Sequence, residues 1–387
     1  VSADSAALLE RLVAAETVSR NPCRPLQEEI AALLRGAGWE AEVIPDASGE
    51  KANLLARLGP AGPGGVLLSG HVDVVPVDGQ DWTVPPFRLT RGAGRFWGRG
   101  TADMKGFVAC ALAMALRAPA RLLRAPLRLA LSFDEELGCL GVPSLIARLR
   151  EEGVRPDLCL VGEPTGMVPA LGHKGKVALR ALCTGREMHS ALAPLGVNAI
   201  HLAADLLGAL RALQARLERE GARDGAYDVP FTTVHAGRIE GGTALNIVPR
   251  HCRLDFEFRN VPDDDPAALR AAIEAEAARL SAGARARAPE AGIALSELFA
   301  YPGLDTPEGS PAVAWLRGLP GVAGDPVKVA FGTEGGLFAE GLGAPVVICG
   351  PGHMAQGHRP DEWVAEEQIA RCDAMLAGVL DRLAGAA

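Results

Sequence analysis

The chain has 387 residues, 48% of them apolar, and a net charge of −8 with both signs mixed along its length. At roughly 100–200 residues per domain, two domains are expected. The acidic balance argues against a nucleic-acid partner, whose phosphates need a basic face, and no apolar run approaches the ~20 residues of a membrane-spanning helix. Eight cysteines are scattered without a C-x-x-C pair, so buried, reduced thiols of a cytoplasmic protein are expected rather than a disulfide framework or a cysteine–zinc site.

In chain order, "VSADSAALLERLV" reads as a capped amphipathic helix within 2–16, not as a signal peptide, and 25–38 reads as a second helix. The short apolar runs "ANLLARLG", "GGVLLSG", "LRLALSF", "DLCLVGEP" and, much later, "APVVICGPG" read as buried strands. Helical patterns at 104–118 and 142–153 separate some of them. Strands alternating with helices imply an α/β layer with a mainly parallel sheet. "GAGRFWG" (92–98) is expected to be a hairpin turn, because it does not lie between a strand and a long helix as a dinucleotide loop would. From about 176 the texture changes. "KVALRALCTG" alternates, 198–220 is a long amphipathic helix, 231–261 reads as antiparallel strands, and 265–283 is another helix opened by the acidic "DDD" at 263–265. This β-α-β-β-α order predicts a smaller α+β domain inserted at 177–291, between 1–176 and 292–387 of the first domain.

Open α/β sheets place ligands beyond the carboxyl ends of their strands. His71 and Asp73 follow "VLLSG"; Asp134, Glu135 and Glu136 follow "LRLALSF"; Glu163 follows "LCLVG"; His353 and His358 follow "VVICGPG"; and Asp103 sits just before the helix at 104. Each alone is an ordinary loop residue. Together they crowd carboxylates at one sheet edge, where they would repel or protonate unless a cation is shared among them. Two His, two Glu and one Asp exceed the needs of one tetrahedral zinc with an open position. They suit two ions about 3.5–4 Å apart. One of the paired glutamates then serves as a ligand and the other as general base. Asp73, two residues beyond His71, is placed to accept the other ring N–H and fix its tautomer. No G-x-S-x-G is present, and no serine is placed as a nucleophile elbow.

The segments "SGHVDVVPVDG", "GRGTADMKG", "SFDEELGCLG", "VGEPTG", "GREMHSALAPLGVNAI", "GGTALNIVP" and "CGPGHMAQGHRPDEWV" run in order over nearly the whole chain. Together they resemble the M20 family of metallo-peptidases and deacylases. The resemblance implies a zinc-peptidase-like α/β catalytic domain with an inserted ferredoxin-like α+β domain acting as lid and dimerisation module. It implies two Zn2+ ions, for which Co2+ can substitute. His71, Asp103 and Glu163 would hold one ion and Asp103, Glu136 and His358 the other, with Asp103 bridging and Glu135 as base. His358 is preferred to His353 because it carries the H-x-P-D-E context; His353 is expected at the pocket rim. His189 in "MHS" matches an oxyanion donor contributed by the inserted domain, although Glu187 and Met188 stand where relatives usually carry small residues. Arg259 and Asn246 resemble positions near the substrate carboxylate, with a surface ion pair and a turn as their structural alternatives. Thr333 and Gly335 would line the pocket. Within the family, "DEELGCLG", "GGTALNIVPRHCRLDFEFRNVP", "FGTEGGLF" and "QGHRPDE" most resemble the branch that deacetylates N2-acetyl-L-ornithine in arginine biosynthesis. Desuccinylation of succinyl-diaminopimelate, other N-acyl-amino-acid deacylation, carboxypeptidase action and ligand binding without turnover remain the alternatives. The implied partner is a small N-acylated amino acid, with a homodimer formed through the inserted domain.

Overall fold

The computed structural model describes residues 4–385. Ser2 and Ala3 of the expected first helix lie outside the described residues. Residues up to Gly172, Leu304–Val329 and those from Thr333 onward form one compact unit, while His173–Gly303 with Ala330–Gly332 form a second.

The first unit opens with helices α1 (Ser5–Ala14) and α2 (Arg24–Gly36). The Asp4 side chain caps α1 by accepting from the Ala6 N–H, and Leu8, Leu9, Leu12 and Val13 form its buried stripe. Strands β1 (Glu40–Pro45), β2 (Ala52–Leu58) and β3 (Val66–His71) follow, then the short β4 (Thr90–Gly92) and β5 (Arg95–Trp97), then helix α3 (Lys105–Arg117). β4 and β5 make the expected hairpin, its two-residue turn built on Ala93 and Gly94, both at positive φ. Next come β6 (Leu127–Ser132), α4 (Val142–Glu151), β7 (Leu158–Pro164) and β8 (Ala170–His173).

The second unit contains β9 (Gly175–Thr184), α5 (Ala199–Glu220), β10 (Thr233–Gly241), β11 (His251–Asn260), α6 (Pro266–Arg285) and β12 (Gly292–Tyr301). The chain then returns through β13 (Leu304–Asp305), α7 (Pro311–Arg317), β14 (Val327–Val329), α8 (Gly335–Leu342), β15 (Val346–Gly350), β16 (Trp363–Ala365) and α9 (Glu366–Leu383).

The large sheet of the first unit is mixed, in the order β1-β2-β6-β3-β7-β15-β8-β13, with β14 beside β8. Its centre, β6-β3-β7-β15, is parallel. Every residue of β3, β6 and β7 is buried, so both faces of these strands are covered, as parallel strands require. α3 is buried over all of 105–115, which fits a helix enclosed by its neighbours. Two glycines let α3 approach closely. A Cβ on Gly162 of β7 would lie 1.9 Å from the Phe107 ring, and one on Gly70 of β3 would lie 2.9 Å from Met104 Cε. Because His71 follows Gly70, Glu163 follows Gly162 and Asp103 precedes Met104, this approach sets three acidic or imidazole groups side by side. All eight cysteines are buried and free, as expected.

The second unit has one antiparallel sheet in the order β10-β11-β9-β12, with α5 and α6 between its strands in sequence. This β-α-β-β-α-β topology is ferredoxin-like. The expected return to the first domain at 292 comes too early. Gly292–Tyr301 pairs with β9 along its length and supplies the fourth strand, so the unit's main segment runs on to Gly303. The strand lies on the sheet's outer side, and its mixed burial hid it from a reading based on apolar runs. In "DDD", Asp265 is the cap of α6, its side chain accepting from Ala267 N–H.

Candidate metal centre

The three adjacent parallel strands β6, β3 and β7 end at one edge of the sheet, and the acidic cluster forms there. His71 is the last residue of β3 and Glu163 lies near the end of β7; Glu135 and Glu136 follow β6. Asp103 precedes α3, and His358 comes from the loop between β15 and β16. His71 Nε2 lies 3.1 Å from Asp103 Oδ1 and 3.7 Å from Glu163 Oε1. His358 Nε2 lies 3.0 Å from Asp103 Oδ2 and 3.1 Å from Glu136 Oε2. The Asp103 carboxylate therefore faces both histidines, one from each oxygen. Ligand-type atoms of His71, Glu135 and Glu163, and of His71, Asp103 and Glu136, gather within 4.8 Å of one another.

The electrostatics show what such a cluster needs. Burial and the surrounding carboxylates push Glu135 and Glu163 well above the ordinary range, and Glu136 up to about 7. Burial disfavours a charged His71, but bonds to Asp103 and Asp73 outweigh it and raise its pKa. Asp103 and Glu136 push His358 up to about 10. Burial alone would raise Asp103, but His358 and His71 hold it below its ordinary value. Protons thus balance the cluster. A divalent cation can replace them, since imidazole nitrogens and carboxylate oxygens are the donors zinc accepts. The nearest thiol, Cys139, is raised well above its ordinary value by burial and the nearby Glu135 carboxylate. It acts instead as a donor to Glu135 Oε1 at 3.5 Å.

Asp73 departs in part from expectation. The Nδ1 of His71 bonds the Asp73 backbone carbonyl at 2.9 Å, with the carboxylate farther away at 3.5 Å. The carboxylate accepts from Ser19 Oγ at 2.7 Å and from the N–H groups of Glu135 and Glu136 at 3.1 and 3.4 Å. Asp73 therefore orients His71 chiefly through its main chain and steadies the Glu135–Glu136 turn through its side chain. Asp134, beside the pair, is held by Lys51 at 2.6 Å.

Thr333 and Gly335 lie at the start of α8, buried, with Thr333 Oγ1 accepting from the Gly335 N–H at 2.9 Å. Between them Glu334 is buried and accepts from Ser69 Oγ at 3.1 Å. His353 is exposed and pairs with Thr165. In the second unit, His189 and Asn246 are brought together. A bridge joins His189 to Ile247, and the Asn246 carbonyl accepts from the Ser190 N–H. His189 Nδ1 accepts from the Ala191 N–H at 3.1 Å, which places the ring proton of the neutral imidazole on Nε2. Arg259 pairs with Glu257 at 2.9 Å, and Glu257 also takes Lys176 at 2.8 Å.

Reading the sequence did not single out Glu362, Arg99 or Gln80, which hold the backbone around the cluster. Glu362 and Arg99 stood inside the motifs "HRPDE" and "GRGTADMKG", but only as context for His358 and Asp103.

A mixed α/β sheet with a ferredoxin-like insertion and a His/Asp/Glu cluster at its strand ends defines a metallohydrolase architecture. The chain belongs to Peptidase family M20/M25/M40, which residues 67–382 match, and it is a hydrolase of that family with residues able to hold metal. It is 37% identical over 385 residues to an acetylornithine deacetylase of Myxococcus xanthus, covering 98% of this chain and 97% of that protein. It is 35% identical to an acetylornithine deacetylase of Pasteurella multocida, covering 89% of this chain and 87% of that one. In fold it is similar to an M20 family metallo-carboxypeptidase from Sulfolobus solfataricus, with a TM-score of 0.79 at 17% identity over 98% and 99% of the two chains.

Proposed function

We propose that the protein hydrolyses N2-acetyl-L-ornithine to L-ornithine and acetate, a step of arginine biosynthesis, in the cytoplasm. The observation that carries this reading is the 37% identity over nearly its whole length to an acetylornithine deacetylase. The clustered donors support the chemistry. His71, Asp103 and Glu163 would hold one zinc ion and Asp103, Glu136 and His358 a second, with Asp103 shared. Such ions would supply Lewis-acid polarisation of the acyl carbonyl and a lowered pKa for water.

The chain's own groups do the rest. Glu135 lies in the buried cluster without being needed as a ligand, and its raised pKa suits a group that takes a proton from water and returns it to the departing amine. His189, by resemblance to the family, donates from Nε2 to the carbonyl oxygen as that atom gains charge. Arg259 and Asn246 recognise the substrate carboxylate, and Thr333 and Gly335 line the pocket. A homodimer through the second unit is part of the same proposal. It is supported by the outer strand β10, largely exposed, and by the exposed Ile239 and Leu245. Light scattering that finds only monomer would remove that part.

The test is a kcat/KM panel on zinc-loaded protein with N-acetyl-ornithine, N-succinyl-diaminopimelate, N-acetyl-methionine and a glutamyl dipeptide. Preference for acetyl-ornithine is expected. Preference for another substrate would keep the two-metal chemistry and move the protein to another M20 activity. No turnover with two ions bound would leave ligand binding as its role.

A further inference from the structure

Three polar side chains outside the ligand set connect two of its members. Glu362 is fully buried, and both of its oxygens face donors. Oε1 accepts from the N–H groups of Ala102 at 2.9 Å and Asp103 at 3.1 Å, and Oε2 accepts from Arg99 Nη1 at 2.6 Å. Arg99 is 1% exposed. Its Nη1 also reaches the Arg359 carbonyl at 3.3 Å, and its Nη2 donates to Gln80 Oε1 at 2.6 Å and to the Pro76 carbonyl at 3.4 Å. Gln80 Nε2 in turn donates to the His358 carbonyl at 3.2 Å. A continuous chain of hydrogen bonds thus runs from the backbone of Asp103 to the backbone of His358.

Those two residues need such a brace. Neither lies in a strand, and His358 sits in a loop at φ 60° with its side chain 46% exposed. A buried ion pair such as Arg99–Glu362 is weak evidence for stability in itself, because desolvation offsets its attraction. Its placement behind two facing ligands points to a different role.

We propose that Glu362, Arg99 and Gln80 are positioning residues that fix the spacing between Asp103 and His358, and so set the affinity of the metal position those two residues share with Glu136. The inference rests on the reading of Asp103 and His358 as ligands. Its chemistry is specific. Glu362 meets only donors, so a glutamine there must turn its NH2 against either the Asp103 N–H or the Arg99 guanidinium. Gln80 uses both ends of its amide, the oxygen toward Arg99 and the nitrogen toward His358, so an alanine there releases the His358 carbonyl while leaving Glu362 in place.

The experiment titrates zinc into the metal-free full chain against a chromophoric chelator, for the wild type, His358→Ala, Glu362→Gln and Gln80→Ala. The melting temperature of each metal-free protein is read alongside. Trp39→Phe serves as a control, since it trims a buried ring and its bond to the Ala115 carbonyl without touching the cluster or its brace. The wild type is expected to bind two equivalents and His358→Ala to lose one. Glu362→Gln and Gln80→Ala should weaken that same equivalent by about 10–100-fold, as loss of an outer partner of a metal ligand does, with the other equivalent changed less. Trp39→Phe should lower the melting temperature without moving either affinity. Wild-type affinity in both Glu362→Gln and Gln80→Ala, with His358→Ala defective, overturns the inference alone. Two intact equivalents in His358→Ala overturn the ligand reading and the inference with it. Should Glu362→Gln fail to fold, Gln80→Ala, at a partly exposed position, decides.

Discussion

The two halves of the acidic cluster are built differently. His71 and Glu163 stand at the ends of neighbouring parallel strands, 1% and 2% exposed, and the sheet itself dictates where they lie. His358 stands on a loop with its ring half in solvent and is placed by side chains that reach across the sequence. One half is thus a by-product of the fold, while the other has to be assembled on it. Rigidity comes at no extra cost where ligands grow from strands, and it needs dedicated braces where they grow from loops.

The largest expected effect falls in the buried half. Glu135→Gln should lower kcat by about 10²–10⁴-fold, the range for a lost general base, while both ions remain bound. Loss of metal in this variant would turn Glu135 from base to ligand. Next in size is the difference between His71→Ala and His358→Ala. His71 contributes to both groups of clustered donors, so its loss should weaken total zinc binding by well over the ~100-fold of an outer-partner change. His358→Ala should retain one equivalent. Equal losses in a chelator competition would erase the distinction between the halves.

A smaller effect concerns pH. In the metal-free protein the Glu136 carboxyl is raised to about 7 from its ordinary 4.5. Its contribution is present below about 4.5 and is lost as pH rises through 7. His358, raised to about 10 from 6.5, adds stability that is complete below about 6.5 and is lost as pH rises through 10. Both act in the same direction. The melting temperature of metal-free protein should therefore fall between pH 5 and 8, by about 2–4 °C per kcal/mol for a domain of this size. The zinc-loaded protein should not follow it. A rise over that window in calorimetry would contradict the protonated cluster. The smallest change is Cys139→Ala, which removes a weak thiol donor to Glu135 and should alter kcat by less than about fivefold.

The clustered His, Asp and Glu residues were legible in the sequence because each stands close after an apolar strand or before a buried helix, where a local pattern marks it. The hairpin at 92–98 was legible for the same reason, as its turn chemistry is local. The brace was not. Gln80, Arg99 and Glu362 meet across more than 250 residues of chain, and no periodicity records that meeting. Asp73 was legible beside His71, but spacing cannot tell that the ring nitrogen meets its carbonyl more closely than its carboxylate. The fourth strand of the second unit was missed because β12 alternates buried and exposed residues weakly, and its place is fixed by pairing with β9, more than a hundred residues earlier.

The ends of that second unit meet. A Cβ on Gly303 would lie 2.9 Å from the Gly175 nitrogen and 3.0 Å from the His173 oxygen, and Leu171 and Thr306 of the first unit, just outside those ends, are joined by a backbone hydrogen bond at 2.8 Å. To the first unit, then, the main segment of the second is a long excursion that departs and returns at one point, so closing it into a short turn costs little chain entropy. The strands that carry the acidic cluster, β3, β6 and β7, accordingly owe none of their chain connections to the residues between 174 and 303.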